Sequence, residues 1–187
     1  MHMRLVRSLF TAAAFAAAAL PLCATAQVES TPIPAVQKPD FSSVNFLVGT
    51  WTCSTKSARR PAPYVTISKY TLDPSGYWID ETSTTKKTSW VASPITVVDK
   101  ITYDSDSKRW VDVLYGDQGA YGMSVSKGWN GNHITWHDLG FAPSPDISSA
   151  SDIATTKVSA TKMTSASTFT ETKSGRHVSV STVCTKA

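Results

Sequence analysis

Histidine and carboxylate side chains are the first residues of this chain to weigh for chemistry, because they bind metal ions and transfer protons. His133 and His137 are four residues apart in a stretch rich in Thr, Ile and Trp, which predicts a strand. Residues at this spacing in a strand are about 13 Å apart, and no Cys or carboxylate is placed to complete a shared site. We therefore predict no metal site and two solvent-exposed histidines.

Asp99 is the carboxylate with the strongest indication of a role. In the predicted strand at residues 95–103, it shares a face with Val97, Ile101 and Tyr103. An unpaired carboxylate on such an apolar face is costly to bury. Asp99 would then orient a ligand inside the protein, pair with a neighbouring Lys or Tyr, or mark a barrel edge, and the sequence leaves these alternatives open.

Nucleophilic catalysis is not indicated by the sequence. Serine is abundant, but none lies in a Gly-x-Ser-x-Gly motif, and no Cys-x-x-Cys pair occurs. A protein without catalytic activity is therefore the preferred interpretation. The alternative is an enzyme that acts through His177 or Asp99.

Residues 1–26 have the pattern of a secretory signal peptide. Arg4 and Arg7 precede an apolar run, and residues 24–26 (Ala-Thr-Ala) fit the cleavage rule. The run is shorter than the roughly 20 residues of a membrane span, and no later segment approaches that length. We expect an exported protein, periplasmic or secreted. Lipidation at Cys23 is less favoured because the residue before it is not small.

The charge of the chain argues against a nucleic-acid partner. Loss of residues 1–26 would lower the formal charge of +4 by the two charges of Arg4 and Arg7, to +2. Binding to nucleic acid needs a clustered basic face. Arg59 and Arg60 do form a basic pair, but in a predicted loop beside prolines.

The same cleavage would leave Cys53 and Cys184 as the two remaining cysteines. In an exported protein such a pair is normally oxidised. Cys53 shares a strand face with Trp51, and Cys184 shares one with Val178 and Val180, so both face the predicted interior. We predict a disulfide bond that joins the first strand to the last and closes the sheet.

Residues 41–187 form the predicted domain, after a proline-rich flexible linker at 27–40. Helical periodicity is lacking, and short runs rich in Thr, Val, Ile, Tyr and Trp alternate with turn residues. This pattern predicts an all-β fold, an antiparallel up-and-down barrel of about ten strands, with a longer loop at 141–151. The predicted strands are residues 49–56, 64–72, 77–85, 95–103, 109–115, 120–127, 133–139, 152–160, 167–172 and 177–184.

Two segments resemble a known group of barrels. Phe46-Leu47-x-Gly49-x-Trp51 is similar to the opening strand of the calycin superfamily, in the version of nitrobindins and of uncharacterised bacterial lipocalin-like proteins. Tyr103-Asp104 with Arg109-Trp110 resembles a strand-turn-strand segment of the same lipocalin-like proteins. The resemblance implies a calycin-type barrel, of the lipocalin and fatty-acid-binding-protein kind.

The resemblance to nitrobindins also implies haem bound through a histidine near the C-terminus, and His177 is the nearest equivalent. Two observations weigh against it. The glycine-rich continuation that nitrobindins have after Trp51 is missing, and the apolar face of Val178 and Val180 turns His177 toward solvent. The preferred expectation is therefore no cofactor, with haem as the alternative.

A barrel of about ten strands is wider than its side chains can fill, which predicts an internal cavity. The residues predicted to line it are Trp51, Asp99, Tyr103, Tyr115, Tyr121, Met123 and Trp136. The preferred interpretation is an exported barrel that binds a small apolar or aromatic molecule without transforming it. A further alternative is a protein-interaction or inhibitor module that acts through loop 141–151 and the loop of Arg59 and Arg60.

Overall fold

The structure is a computed structural model that describes residues 35–142, 147–150 and 152–187. The predicted signal peptide at 1–26, residues 27–34 of the predicted linker and part of the predicted loop 141–151 lie outside these ranges. Residues 35–40 contain no helix or strand. The Tyr77 hydroxyl donates a hydrogen bond of 3.0 Å to the Val36 carbonyl, so this segment contacts the folded domain.

Strands dominate the described residues, because Thr, Val, Ile and aromatic side chains pack well on a pleated surface. A short 3₁₀ helix (Asn45–Leu47) precedes the first strand. The strands are β1 (Gly49–Ser57), β2 (Tyr64–Leu72), β3 (Ile79–Thr85), β4 (Ile95–Asp104), β5 (Arg109–Gly116), β6 (Tyr121–Ser126), β7 (His133–Ala142), β8 (Ile147–Ala150), β9 (Ile153–Ser159), β10 (Lys162–Glu171) and β11 (His177–Lys186).

The sheet closes on itself. Each strand from β1 to β6 pairs antiparallel with the next along the chain, and β9 lies between β7 and β10. β11 pairs with both β10 and β1, which completes a ring of ten strands in the described part of the chain. β8 pairs with β10 and is not part of the ring. The predicted fold class, an all-β antiparallel barrel of the calycin type with about ten strands, is confirmed.

Two stretches differ from the predicted strand boundaries. β7 extends to Ala142 and β8 occupies residues 147–150, so the prediction of a loop is wrong for these parts of 141–151. β10 begins at Lys162, five residues before its predicted start. Its first half carries a single large apolar residue, Met163, among Thr and Ser, and such a polar alternation gives a weak strand signal.

One end of the barrel is sealed by the residues that lead into β1, which we call the sealed end. Val44 and Trp51 are almost completely buried there, and Leu47 is buried beside them. The Trp51 indole Nε1 donates a 2.7 Å hydrogen bond to the Leu47 carbonyl. Lys186 lies over the Trp51 ring, with Nζ 5.3 Å from the ring centroid. Each apolar group is thus covered and the indole N–H is satisfied.

The backbone conformation at position 49 favours glycine. The φ of Gly49 is +129°, which side chains disfavour, and a Cβ there would also lie 2.6 Å from Cε of the flexible Lys186 side chain.

The predicted disulfide bond between Cys53 and Cys184 is confirmed. The two residues are directly opposite each other on β1 and β11, with Cα atoms 4.0 Å apart. The bond joins the first and last strands and encloses a sequence separation of 131 residues.

Candidate functional site

A cavity of about 270 Å³ lies inside the barrel and borders the sealed end through Val44 and Leu47. Its apolar and aromatic lining includes Ile134 and Trp136 of β7, Met163 of β10, and Trp129. Tyr70 and Ile101 add to this apolar lining. The polar part of the lining, which we call the polar side, is formed by Thr55, Thr66, Ser68, Glu81, Asp112, Thr155, Ser165 and Thr182.

Three carboxyl groups from consecutive strands lie on the polar side, and we call them the acidic wall: Glu81, Asp99 and Asp112. Glu81 of β3 is directly opposite Asp99 of β4. Asp112 of β5 is opposite Ile101, two residues along β4 from Asp99. Directly opposed residues project to the same face of a sheet, so the register brings all three carboxyl groups together on the inner face.

The environment of the acidic wall favours protonated carboxyl groups. Burial raises the pKa of Asp99 well above its usual range, and the neighbouring charges of Glu81 and Asp112 add to the effect. Burial, with the charge of Glu81, raises the pKa of Asp112 to about 7. Tyr70, opposite Glu81 on β2, has a pKa raised well above its usual value by burial first and by the Glu81 charge second.

The hydroxyl groups of the polar side are paired with one another. Thr55 and Thr182 are 2.9 Å apart at their hydroxyl oxygens, and Ser68 and Ser83 are 2.8 Å apart. Ser83 also hydrogen-bonds the Glu81 carboxyl group. These cross-strand contacts satisfy polar groups that burial would otherwise leave without partners.

Two buried polar atoms in the described residues have no hydrogen-bond partner, Asp112 Oδ1 and Trp129 Nε1. Both residues border the cavity. The other Asp112 oxygen is 3.5 Å from the Ser124 hydroxyl, which is a long contact. An unsatisfied buried polar group costs about 1–3 kcal/mol. The site thus contains one acceptor and one donor that the fold itself does not use.

Four of the seven predicted cavity residues lie at or near the cavity. Trp136 borders the cavity as predicted. Asp99 is largely buried beside Glu81 and Asp112. Trp51 and Tyr103 lie in the core next to the cavity, where Trp51 packs on Phe46 and Tyr103 packs on the Trp110 ring at 5.5 Å between centroids. Contact of any of these residues with a ligand stays a prediction.

Tyr115, Tyr121 and Met123 lie on the outer surface of the barrel, and their predicted position inside it is wrong. They are 52%, 61% and 41% exposed. Tyr115 and Tyr121 are opposite each other on β5 and β6, so they share one face. With the exposed Val113, they form an apolar strip on the outside of the sheet.

The cause of this error is the presence of apolar residues on both faces of β5. The alternation of Val111, Val113 and Tyr115 gives the stronger apolar signal, because the other face contains Asp112. The structure nevertheless turns Trp110 and Asp112 inward, with Trp110 only 6% exposed. On β6 the inner face then consists of small and polar residues opposite them, Gly122, Ser124 and Ser126.

Glu81, Asp112 and Trp129 are site residues that the sequence analysis missed. A signal for Asp112 exists, since it alternates with Trp110 and Leu114 and so shares a face with two large apolar residues. Glu81 likewise lies two residues after the fully buried Ile79. Trp129 lies in the segment between β6 and β7, where periodicity carries no information.

The three histidines of the described residues lie outside the cavity. His177 is exposed, and its Nδ1 is 3.1 Å from the Thr170 hydroxyl oxygen. His133 and His137 are also exposed, as predicted. Across the described ranges, no group of three His, Cys, Asp or Glu side chains is arranged to hold a metal ion.

The basic pair in the loop after β1 is anchored to the barrel. Arg59 Nε is 3.3 Å from Glu171 Oε1 of β10, and Arg176 binds the same oxygen at 2.9 Å. No helix in the described part of the chain has the length and hydropathy of a membrane span.

Comparison with known proteins identifies no family. No family model matches the chain, and no curated protein matches it. Among solved structures it is similar to EF1p2_mFAP2b, solved bound to DFHBI, with 10% identity and a TM-score of 0.39, over 78% of this chain and 97% of that one.

The chain is also similar to a protein of unknown function from the DUF3598 family of Nostoc punctiforme. The identity is 18% and the TM-score is 0.37, over 85% of this chain and 53% of that one. This chain therefore spans about half the length of the Nostoc protein. Both TM-scores are below 0.5, so neither likeness bears on function.

Proposed function

We propose that this protein binds one small molecule in the barrel cavity and releases it unchanged. The observation that carries the proposal is the unfilled space of about 270 Å³, bordered by Asp112 and Trp129 with their unpartnered buried atoms. A core that serves only stability is close-packed and pairs its buried polar groups. A ligand in the cavity would fill the space and supply the missing partners.

The size of the cavity points to a small ligand. Ligand pockets commonly have volumes of about 300–1,000 Å³, and the volume of this cavity, about 270 Å³, is just below that range. A single aromatic ring with a short substituent suits it, in keeping with the apolar or aromatic guest predicted from the sequence. The acidic wall indicates in addition that the ligand carries hydrogen-bonding groups.

We also propose that the protein acts outside the cytoplasm, in the periplasm or as a secreted protein. Two features support this localisation: the signal-peptide pattern of residues 1–26, and the Cys53–Cys184 bond, which persists in oxidising compartments. The resemblance of residues 46–51 to calycin barrels suits a binding role, although a fold by itself does not decide function.

The other hypotheses have less support. Haem ligation by His177 would require its side chain to break its contact with Thr170 and to turn from the solvent into the barrel. Catalysis by Asp99 is consistent with its raised pKa and would be supported by turnover of the bound molecule. An interaction module that uses Arg59 would have to compete with its ion pair to Glu171.

The proposal is tested by filling the cavity. Ser165 borders it, whereas Thr164, the next residue of β10, projects to the other face opposite Val183. We expect saturable binding of 4-propylphenol, measured by titration calorimetry, to wild type and to Thr164→Trp, and none to Ser165→Trp. Thermal melts check that both variants fold.

Native mass spectrometry of the protein purified from its export compartment gives a second readout. We expect a co-purified small molecule, lost from Ser165→Trp. Equal binding by Ser165→Trp, or a wild type with neither a co-purified mass nor saturable binding, would overturn the proposal.

A further inference from the structure

The acidic wall has no counter-ion inside the barrel. Glu81 and Asp112 border the cavity and Asp99 lies between their strands, while none of the described residues that border it is Lys, Arg or His. Lys100, next to Asp99, faces outward and binds Asp80 at 2.6 Å. Buried carboxyl groups are ordinarily paired with a cation, because the charged form loses hydration. The site lacks that cation.

The acidic wall lacks hydrogen-bond donors as well as a counter-ion. The threonine and serine hydroxyls of the polar side are paired with one another, whereas Asp112 Oδ1 has no donor. The Ser124 hydroxyl reaches only the other Asp112 oxygen, at 3.5 Å. The wall can therefore accept hydrogen bonds that the protein does not provide.

A metal ion does not fit this deficit. The carboxyl groups lie on three successive strands, and no group of three potential metal ligands in the described ranges is arranged to hold an ion. A metal ion needs several oxygen or nitrogen ligands at about 2.0–2.6 Å.

An organic cation fits the deficit better. An ammonium group has three donors and no acceptor, which complements carboxyl groups. The aromatic side chains of Tyr70, Trp129 and Trp136 also border the cavity, and aromatic faces attract cations as well as apolar rings. The unpartnered Trp129 Nε1 could donate a hydrogen bond to a hydroxyl oxygen of a ligand.

We infer that the cavity selects a small aromatic amine, whose ring packs on Trp129 and Trp136 and whose ammonium group donates hydrogen bonds to the carboxyl groups of Glu81 and Asp112. A hydroxyl group on the ring would accept from Trp129 Nε1. This inference rests on the proposed binding function and names the class of its ligand.

Proton release is a consequence of this arrangement. Because burial raises the pKa of Asp112 to about 7, part of this group is protonated near neutral pH, and a bound cation favours its ionised form. The groups that face it are Glu81, Asp99 and Tyr70, with the Ser124 hydroxyl from β6. Amine binding therefore releases protons, and its affinity rises from pH 6 to pH 8.

Three ligands that share a phenol ring test the inference by titration calorimetry at pH 7. Tyramine carries an ammonium group, 4-propylphenol has a methyl group in its place, and 3-(4-hydroxyphenyl)propanoate has a carboxylate. We expect tyramine to bind at least tenfold more tightly than 4-propylphenol, and the carboxylate not to bind. Titration of tyramine in buffers of different ionisation enthalpy should show proton release.

Substitutions test whether the selectivity for tyramine over 4-propylphenol comes from the acidic wall. Asp112→Asn should weaken tyramine binding at least tenfold and so lower the ratio of the tyramine affinity to the 4-propylphenol affinity. Asp80→Asn is the matched control, since it removes the same charge from the outer face of β3. It should change neither affinity. If Asp112→Asn does not fold, Glu81→Gln takes its place.

The outcomes separate the two proposals. Equal affinity for tyramine and 4-propylphenol, or an Asp112→Asn protein that keeps the selectivity for tyramine, would overturn the amine inference and leave the binding function in place. A wild type that binds none of the three ligands and carries no co-purified molecule would overturn both.

Discussion

The sealed end and the acidic wall are parts of one barrel, but they treat polar groups in opposite ways. At the sealed end the Trp51 indole and the Lys186 ammonium each donate a 2.7 Å hydrogen bond, to the Leu47 and Phe46 carbonyls respectively. At the acidic wall three carboxyl groups face one another, and Asp112 Oδ1 has no partner. Burial at the sealed end stabilises the fold, whereas burial at the acidic wall costs free energy.

This difference separates the part of the molecule that maintains the fold from the part that we propose binds a ligand. Buried titratable groups with perturbed pKa values concentrate at functional sites, where function offsets a loss of stability. The acidic wall has these properties and the sealed end has none of them. Substitutions in the two regions should therefore change stability in opposite directions.

The largest expected effect is at the sealed end. Trp51→Ala removes a fully buried side chain and should lower the free energy of unfolding by about 3–5 kcal/mol, measured by urea denaturation. Trp90→Ala, in the loop between β3 and β4 where the side chain is only partly buried, is the control and should lose less. If Trp51→Ala does not fold, Trp51→Phe is measured in its place. Equal losses of unfolding free energy for Trp51→Ala and Trp90→Ala would mean that the sealed end contributes no more to stability than this loop.

The next effect has the opposite sign. The folded-state pKa of Asp112, about 7, lies above the ordinary value of 3.8, so the folded state holds this proton more tightly than the unfolded state. Stability should therefore fall as the pH rises from about 4 to about 7, at about 1.4 kcal/mol per pH unit at most for this group. Asp112→Asn should reduce this fall and make the protein more stable than wild type at pH 8.

Thermal melts between pH 5 and pH 8 measure this difference. Asp80→Asn serves again as the control, because it breaks an exposed ion pair and should cost less than about 1 kcal/mol. An Asp112→Asn protein that is less stable than wild type at pH 8 would mean that the acidic wall stabilises the fold.

The smallest effect is expected on the outer surface. Tyr121→Ala should change stability by no more than about 0.5 kcal/mol, since the side chain is 61% exposed, and should leave 4-propylphenol binding unchanged. Trp136→Ala, which alters the cavity lining, should weaken that binding about tenfold or more. If Tyr121→Ala abolished binding, the Tyr121 side chain would have to lie inside the barrel, as predicted from the alternation of β6.

Much of the fold could be predicted from short stretches of the chain. The turn at residues 73–76 follows from Asp-Pro-Ser-Gly, and the Asp73 carboxylate indeed accepts a hydrogen bond of 2.8 Å from the Ser75 amide. The pairing of Cys53 with Cys184 is likewise predicted from residue type and position. These features depend on local chemistry and on the order of the strands.

The candidate site could be predicted only in part. Asp99 and Trp136 were placed inside correctly, because Ile101 and Ile134 next to them on the same faces give clear alternation. Asp112 was missed because a carboxylate weakens the apolar signal of its own face. Trp129 was missed because the segment that holds it has no period.

Residue types and their order along the chain are enough to establish an all-β domain, its turns, its closing disulfide bond and an aromatic interior. Alternation shows that β5 and β6 each have two faces, but it does not show which face is inside when both carry apolar residues. That choice follows from the register, which aligns Asp112 with Ser124 and with the inner face of β4. The acidic wall exists only when the register of the consecutive strands β3, β4 and β5 places Glu81, Asp99 and Asp112 on one face, and when the curvature of the barrel turns that face inward.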